Sequence, residues 1–134
     1  MPLLLAEAHR AASAALARAP EIGIKVSCAV VDEGGHLQVL LRMDGAPPLS
    51  PQIAEAKAVG SAMLHRDGEQ IAQVYQDRPG FFAAAEKFNR VPFIPGIGSR
   101  LLKVNGVIVG AIGVSGGKPE QDVECAEAAL RTVK

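Results

Sequence analysis

Two tight-turn signals, each inside an aliphatic stretch, constrain the fold of this chain more than any other feature. Asn105-Gly106 divides residues 101–114 into two runs, and Asn-Gly is the strongest two-residue signal for a β-hairpin. Asp32-Glu33-Gly34-Gly35 divides residues 24–43 in the same manner. Strands that arrive as hairpins pair antiparallel, so the sequence predicts an antiparallel sheet and not a doubly wound parallel one.

Helical patterns surround these hairpins in five stretches. They span residues 3–19, 50–66, 69–76, 82–88 and 120–132. Ser50 followed by Pro51 predicts the N-cap of the second helix. The order helix, hairpin, helices, hairpin, helix indicates an α/β chain of the α+β type, with helices flanking one sheet.

The size and composition of the chain indicate one domain over residues 1–134. A length of 134 residues suffices for one domain and is too short for two. Hydrophobic residues make up 49% of the chain but aromatic residues only 4%, so small aliphatic side chains must fill the core. Such a core suits helices that pack closely on a sheet.

The charge balance and hydropathy exclude two classes of partner. Lys and Arg number 14 and are balanced by 14 Asp and Glu, which leaves no basic surface for a phosphate backbone, so we expect no nucleic-acid binding. No apolar run approaches the ~18 residues of a membrane span. The apolar start is interrupted at Glu7 and is too short for a signal-peptide core, so we expect a cytoplasmic protein without membrane contact.

Three stretches of the chain resemble the GlcG/HbpS family, which includes the C-terminal domain of PduO-type proteins. They are residues 30–37 (VVDEGGHL), 42–46 (RMDGA) and 109–117 (VGAIGVSGG), the last followed by Glu120-Gln121-Asp122. The resemblance implies a profilin-like domain with a five-stranded antiparallel sheet flanked by helices. It also implies assembly into homo-oligomers, and haem binding in some members.

The chain differs from the family pattern at two places. Residues 95–100 (PGIGSR) stand where many relatives have a Gly-Gly-Gly-x-Pro type stretch. Residues 57–61 (KAVGS) stand where many have Lys-Ala followed by Thr. Both differences touch the expected walls of a ligand pocket, so the family's ligand does not transfer automatically to this chain.

His9 is the candidate for the axial ligand of haem iron. It shares a helical stripe with other apolar positions, namely Leu5, Ala12 and Leu16. We therefore expect its ring to face the sheet or a partner subunit, and a neutral imidazole on an apolar wall is what haem ligation needs. The resemblance implies a ligating histidine in this helix. The alternative is a histidine that is hydrogen-bonded within an interface.

Three cations are further candidates for a ligand site. Lys57 or Arg100 is expected near the haem propionates, and Arg42 lies in the family motif at the end of the first hairpin. The alternative for Lys57 is an ion pair with Asp44 or Glu55. If the ligand is instead a carboxylated metabolite, Arg42, Lys57 and Arg100 are the expected contacts.

The remaining candidates have simpler interpretations. His36 is expected at an exposed hairpin tip and His65 at the end of the second helix, and the three histidines lack metal-ligand spacing. Cys28 and Cys125 are expected to be buried thiols, with a disulfide or a ligand pair as the alternative. The glycines at 116–117 have no Walker pattern, because Lys118 precedes Pro119, so close packing of the last helix explains them better.

Three functions follow from these observations. The first is haem binding or sensing by a homo-oligomer. The second is an enzyme or accessory protein of small organic-acid catabolism that binds a carboxylated metabolite. The third is a structural subunit whose alanine-rich helices make oligomer contacts. No catalytic triad or nucleophile elbow is present in the sequence, so whether the protein is an enzyme stays open.

Overall fold

The computed structural model of the protein describes residues 2–133. Five α-helices, four β-strands and one 3₁₀ turn follow one another within these residues. In chain order they are α1 (Leu5–Glu21), β1 (Ser27–Asp32), β2 (Leu37–Arg42), α2 (Ser50–Leu64), α3 (Gly68–Asp77), α4 (Pro79–Ala85), the 3₁₀ turn Glu86–Phe88, β3 (Ser99–Val104), β4 (Val107–Ser115) and α5 (Pro119–Leu130). None of the helices in this part of the chain is both long and apolar enough to cross a membrane.

The strands form one antiparallel sheet in the order β2-β1-β4-β3. The two predicted hairpins supply its two halves, and β1 joins them by pairing with β4 from Ser27↔Ser115 to Asp32↔Gly110. A bulge at Gln38 shifts the register of β2, so that Val30 pairs with Val39 and Val31 with Leu37. The predicted antiparallel α+β architecture is confirmed.

The described residues contain four strands, so the expectation of five is wrong in that detail. The segment before β3 does not extend the sheet, because Pro92 and Pro95 have no N–H to donate and fix their own φ angles. It crosses α2 instead, where Gly96 lies against the Lys57 side chain. At the free edge of β3, the Asp67 carboxylate accepts a hydrogen bond from the Leu101 N–H at 2.8 Å.

Helices cover both faces of the sheet. On one face α1 and α5 pack on each other and on a core that contains Val30, Leu102 and Ile112. On the other face α2 packs on β1 and β4 around Val31 and Ala111. A residue of α1 and a residue of α2 that each contacted a ligand would therefore lie on opposite faces of the sheet.

The buried stripe of α1 differs from the predicted one. It consists of Ala8, Ala11, Ala12, Ala15 and Ala19, all fully buried. The small alanines let α1 lie close to both the sheet and α5, and this arrangement turns the bulkier Leu5 and His9 outward. Of the two predicted surroundings of the His9 ring, the sheet is wrong, because His9 is exposed in the described chain, whereas contact with a partner subunit stays a prediction.

The helix α2 approaches β4 unusually closely, and one glycine makes this possible. A Cβ added at Gly113 would lie 2.2 Å from the backbone oxygen of Ala54 and 2.8 Å from the backbone nitrogen of Ala58. No side chain fits there without moving the helix. Packing therefore requires glycine at position 113, but the helix that approaches there is α2 and not the last helix, as was expected for this stretch.

Candidate functional site

The four predicted site residues do not come together in one place. His9 lies on α1, Arg42 on β2, Lys57 on α2 and Arg100 on β3. The sheet separates His9 from Lys57, because α1 and α2 cover opposite faces. None of the four residues lines any of the four surface grooves described below.

Lys57 is buried in an ion pair rather than free for a ligand. Its Nζ donates to the Val114 carbonyl at 2.9 Å and lies 3.2 Å from Asp122 Oδ2, with 8% of Lys57 and 3% of Asp122 exposed. The second carboxylate oxygen of Asp122 accepts from the Gly117 N–H at 2.9 Å. Lys57 forms an ion pair, as the structural alternative predicts, but its partner is Asp122 and not Asp44 or Glu55.

Burial and pairing act on Asp122 in opposite directions. Loss of water raises the pKa of the Asp122 carboxyl, while the Lys57 ammonium and the Gly117 N–H work to lower it, and the net result is a raised pKa. The pair joins α2, the end of β4 and α5 at one point. The family-like residues Lys57, Gly117 and Asp122 thus form a structural cluster.

Residues 95–98 close over this cluster. A Cβ added at Gly96 would lie 2.8 Å from Lys57 Cε, and one added at Gly98 would lie 2.8 Å from Asp122 Cβ. Gly98 also has a φ of 104°, which favours glycine. The stretch in which the chain differs from the family pattern therefore covers Lys57, and Lys57 lines none of the four grooves described below for residues 2–133.

Arg100 is also fully engaged. Its guanidinium binds Glu69 through two hydrogen bonds of 2.6 and 2.8 Å and donates to Glu127 Oε1 at 2.7 Å. The hydrogen bonds from Arg100 hold the pKa of the Glu69 carboxyl below its ordinary value. Arg100 thus joins α3 and α5 to β3. Because its guanidinium already binds Glu69 and Glu127, it has no free edge to bind a propionate.

Arg42 serves the turn after β2. Its Nη2 donates to the Ala46 carbonyl at 2.7 Å, across the Asp44-Gly45 bend. The predicted cation site at Arg42, Lys57 and Arg100 is therefore not assembled in this structure.

Both cysteines are buried free thiols, as predicted. Cys28 on β1 and Cys125 on α5 belong to the core beneath α1. Burial raises the pKa of both thiols, that of Cys125 to about 11. Thiolate is the form that reacts and binds metal, so neither side chain is prepared for either role.

A cleft runs along α2 on the face of the sheet opposite α1. Its mostly apolar end has a volume of about 420 Å³ and is lined by Gln52, Ile53, Glu55, Ala56, Val91, Pro92 and Ile94. Its polar end has a volume of about 200 Å³ and is lined by Gly34, Gly35, His36, Leu37, Glu55, Asn89, Arg90 and Val91. The two ends share Glu55 and Val91, so we describe them together as the α2 cleft.

The polar end of the α2 cleft places three ionisable side chains around one small space. His36 comes from the tip of the first hairpin, Glu55 from α2 and Arg90 from the segment after the 3₁₀ turn. His36 Nδ1 lies 3.2 Å from the Asp32 carboxylate. Sequence reasoning missed this cluster, since the three residues are far apart in the chain and Arg90 lies in its least patterned part.

An aromatic groove lies next to the α2 cleft and shares Asn89 with it. It has a volume of about 440 Å³ and is lined by Met63, Leu64, Phe81, Ala84, Ala85, Phe88, Asn89 and Phe93. The phenylalanines in and beside this groove differ in burial. Phe82 and Phe93 are buried edge to face with centroids 5.3 Å apart, whereas Phe88 is 92% exposed.

The fourth groove lies at the other end of the sheet, beside β3. It has a volume of about 310 Å³ and is lined by Asp67, Leu101, Lys103, Leu130 and Val133. It carries one carboxylate that already serves the edge of β3. The α2 cleft is the better candidate site, since it combines an apolar wall with uncommitted polar groups.

Comparison with protein families finds one matching family model. The model is described as haem degrading protein HbpS-like, and it matches residues 3–131. The chain is 35% identical to a 15.0 kDa protein in the dhaT-dhaS intergenic region of Citrobacter freundii, over 96% of this chain and 89% of that protein. It is also 28% identical to the corrinoid adenosyltransferase PduO of Citrobacter freundii, but spans only 39% of that longer protein.

Comparison with solved structures points to the same family. The structure of HbpS superposes with a TM-score of 0.89 at 30% identity, covering 100% of this chain and 92% of that one. The structure described as a complex of PduOC with haem also has a TM-score of 0.89, at 25% identity, covering 100% of this chain and 96% of that one. The likeness to both extends over all the elements described above.

Proposed function

Because this chain belongs to the HbpS-like family, we propose that it binds haem and that the α2 cleft holds it. The relative solved with haem, PduOC, shares the fold over the whole chain, which supports the choice of ligand. The two ends of the cleft are of the size that small-molecule sites have, roughly 300–1,000 Å³ in all.

The observation that carries this proposal is the division of the α2 cleft into an apolar and a polar end. Haem is an amphipathic disc with an apolar porphyrin and two propionates on one edge. Ile53, Ala56, Val91 and Ile94 offer the porphyrin an apolar wall, and Arg90 offers a propionate a cation. The residues present therefore fit the group.

When bound, haem would supply an iron centre whose chemistry depends on its axial ligand and on how much water reaches it. The protein's own contribution is to bind and orient the disc. The apolar end of the cleft would exclude water from a porphyrin bound there. Arg90 would set which edge of the disc points toward the hairpin tip.

His9 stays an alternative ligand under a different arrangement. Its side chain is exposed on the flank of α1, where Leu5 is 63% exposed. Haem could contact His9 only if a second copy of the chain covered this flank. That arrangement needs the predicted homo-oligomer, whereas the α2 cleft is complete within one chain.

The organic-acid alternative has less support from the geometry. It depended on Arg42, Lys57 and Arg100, and each of these cations is bound to groups of the protein itself. A carboxylate ligand would have to displace those partners.

Titration of the apoprotein with ferric haem tests the proposal. We expect a shifted Soret band that saturates near one haem per chain. Ile53→Glu, which places a carboxylate at the apolar end of the cleft, should weaken binding by about tenfold or more, equivalent to about 1.4 kcal/mol. Leu49→Glu is the matched control, because Leu49 is 59% exposed and lies outside the cleft.

Two outcomes contradict this proposal. If stoichiometric haem produces no spectral change in the wild type, haem is not the ligand. If Ile53→Glu and Leu49→Glu bind haem equally well, the ligand lies elsewhere.

A further inference from the structure

We propose that the α2 cleft also binds a small zwitterionic ligand, namely a free α-amino acid with an aliphatic side chain. Glu55 would receive its ammonium group, Arg90 its carboxylate, and the apolar end of the cleft its side chain. This inference goes beyond the proposed haem function and does not rest on it, because it follows from the charges that the chain itself places in the cleft.

Two opposite charges line the polar end of the cleft without meeting each other. The Glu55 carboxylate and the Arg90 guanidinium border the same space of about 200 Å³. The ion pairs found in residues 2–133 all join other groups, so no direct contact neutralises these two charges. A molecule between them is favoured when it carries a cation at one end and an anion at the other.

The two buried cations of this protein have carboxylate partners on the chain. Lys57 pairs with Asp122, and Arg100 pairs with Glu69. Glu55, by contrast, is half-buried on α2 beside an apolar wall, and none of the ion pairs in the described residues includes it. A carboxylate partly removed from water is stabilised when a cation reaches it. The position of Glu55 therefore favours a ligand with an ammonium group.

The order of the charges along the cleft gives the ligand its orientation. Glu55 lines both ends of the cleft, whereas Arg90 lines only the polar end. A ligand that meets both charges therefore places its ammonium group at the boundary and its carboxylate in the polar end. Its remaining carbon atoms can then occupy the apolar end, against Ile53, Ala56 and Ile94.

Other polar side chains at this end are already held by the protein. His36 Nδ1 lies 3.2 Å from Asp32 Oδ1, and Asn89 Nδ2 donates to the backbone carbonyl of residue 91 at 2.9 Å. Glu55 and Arg90 are thus the charged groups at this end with which a ligand can pair.

The pair of charges selects a free amino acid over a peptide. A residue inside a peptide has neither an ammonium group nor a carboxylate on its α-carbon, and a terminal residue has only one of them. A free amino acid carries both on one carbon atom, with its side chain as the third substituent. The two charges and the apolar end of the cleft match these three parts.

The amino acid and haem would exclude each other. Haem would use the apolar wall and Arg90, but it offers no cation to Glu55. The amino acid would occupy the same wall and the same guanidinium. Competition between the two ligands, unlike the amino-acid site itself, rests on the proposed haem function.

Calorimetric titration of the haem-free protein with L-leucine, isoamylamine and isocaproate tests the site. Isoamylamine is leucine without its carboxylate, and isocaproate is leucine without its ammonium group. We expect leucine to bind about tenfold more tightly than either compound, because it alone meets both charges. Equal affinities for the three compounds would overturn the proposal. So would the absence of both heat and thermal stabilisation with leucine, isoleucine and valine at millimolar concentration.

Variants that remove one charge assign the contacts. Glu55→Gln should weaken the binding of leucine by about tenfold and leave that of isocaproate unchanged, since isocaproate has no ammonium group. Arg90→Gln should weaken leucine by a similar factor and leave isoamylamine unchanged. A variant that weakens all three compounds equally would overturn the assignment of its charge.

Glu33→Gln and Arg10→Gln are the matched controls. Glu33 is exposed in the turn of the first hairpin and Arg10 on α1, and neither lines the cleft. Both controls should bind leucine as the wild type does. If Glu33→Gln weakens leucine as much as Glu55→Gln does, the assignment of Glu55 is overturned. Melting temperatures of the haem-free variants check the fold, and the comparison of the three compounds on the wild type needs no variant.

The outcomes keep this inference apart from the haem proposal. Leucine binding without a Soret shift upholds the amino-acid site and refutes the haem function. A Soret shift without leucine binding does the reverse. If both ligands bind, leucine should raise the apparent Kd for haem, and an unchanged Kd would overturn the shared use of Arg90.

Discussion

Lys57 and Asp122 form a buried ion pair at the junction of α2, β4 and α5. Both side chains are almost completely removed from water, and each has a second hydrogen bond to the backbone. Removing one member of such a pair leaves an uncompensated charge in a medium of low polarity. The pair is therefore the most sensitive single point of the fold.

We predict that Lys57→Met lowers the free energy of unfolding by about 3 kcal/mol at pH 7. The loss should be pH-dependent, because Asp122 without its cation has a still higher pKa than in the wild type. A carboxyl whose folded pKa exceeds its unfolded value stabilises the fold when protonated, and that contribution is lost as the pH rises through the folded pKa. The deficit of Lys57→Met should thus shrink toward pH 4 in urea denaturation.

The control is the double variant Lys57→Met/Asp122→Asn. It removes both charges but keeps a side-chain oxygen for the Gly117 N–H. It should be more stable at pH 7 than Lys57→Met alone. Additive losses, or no pH dependence, would contradict the buried pair.

The residue-level predictions show what sequence periodicity resolves. That Lys57 is paired could be predicted, but its partner lies 65 positions away, and spacing carries no information on such a contact. The spacing of the larger apolar residues Leu5 and Leu16 predicts a buried stripe that includes His9, but His9 lies on the exposed side of α1. The alanines are the buried set, since close packing selects small side chains.

At the scale of elements, the Asn105-Gly106 turn sets the register of half the sheet. Asn105 has a φ of 52° and Gly106 a φ of 78°, as a type I′ hairpin turn requires. A Cβ added at Gly106 would meet nothing within 4 Å. Any cost of a side chain there is therefore purely one of backbone conformation.

We predict that Gly106→Ala lowers the free energy of unfolding by about 1 kcal/mol. Gly80→Ala is the matched control: an added Cβ there also meets nothing within 4 Å, but the residue lies in α4 without a positive φ. That control should lose no stability, because alanine favours a helix. Equal effects of the two changes in chemical denaturation would refute the argument.

The elements themselves were largely predictable. Both hairpins, the alanine-rich helix and the last helix lie where turn residues and periodicity indicate, to within a few positions. Ser50 is the first residue of α2 and not its N-cap, because its hydroxyl binds the Pro47 carbonyl. The pairing of β1 with β4 joins segments that are distant in the sequence, and no local sequence pattern predicts it.

At the scale of the whole molecule, the two thiols report on the integrity of the layered core. Cys28 comes from the sheet and Cys125 from α5, and both are fully buried. Their raised pKa values keep them as unreactive thiols at neutral pH. Exposure of either requires α1 or α5 to separate from this core.

We predict that the native protein at pH 8 does not react with dithionitrobenzoate over minutes, whereas the denatured chain releases two equivalents. The reaction of the native protein should accelerate only as denaturant opens the whole core. Rapid modification of one thiol in native buffer would show that α1 or α5 detaches before the rest of the fold opens. A Cys28→Ala variant assigns the signal to its thiol.

The architecture could be predicted from hairpins and helices, and the α2 cleft could not. Its walls come from α2, the first hairpin and the segment 89–94, three parts that no pattern in the sequence connects. A site made at the junction of loops depends on tertiary packing. Family resemblance supplied the expectation of a haem ligand, and the cleft that we propose for it lies on the face of the sheet opposite α1.

The carboxylate of Asp67 at the edge of β3 has a consequence for growth of the sheet. A strand that approached β3 from outside would compete with Asp67 for the Leu101 N–H. The carboxylate therefore disfavours the addition of a further strand at this position, where another chain would otherwise find a free donor.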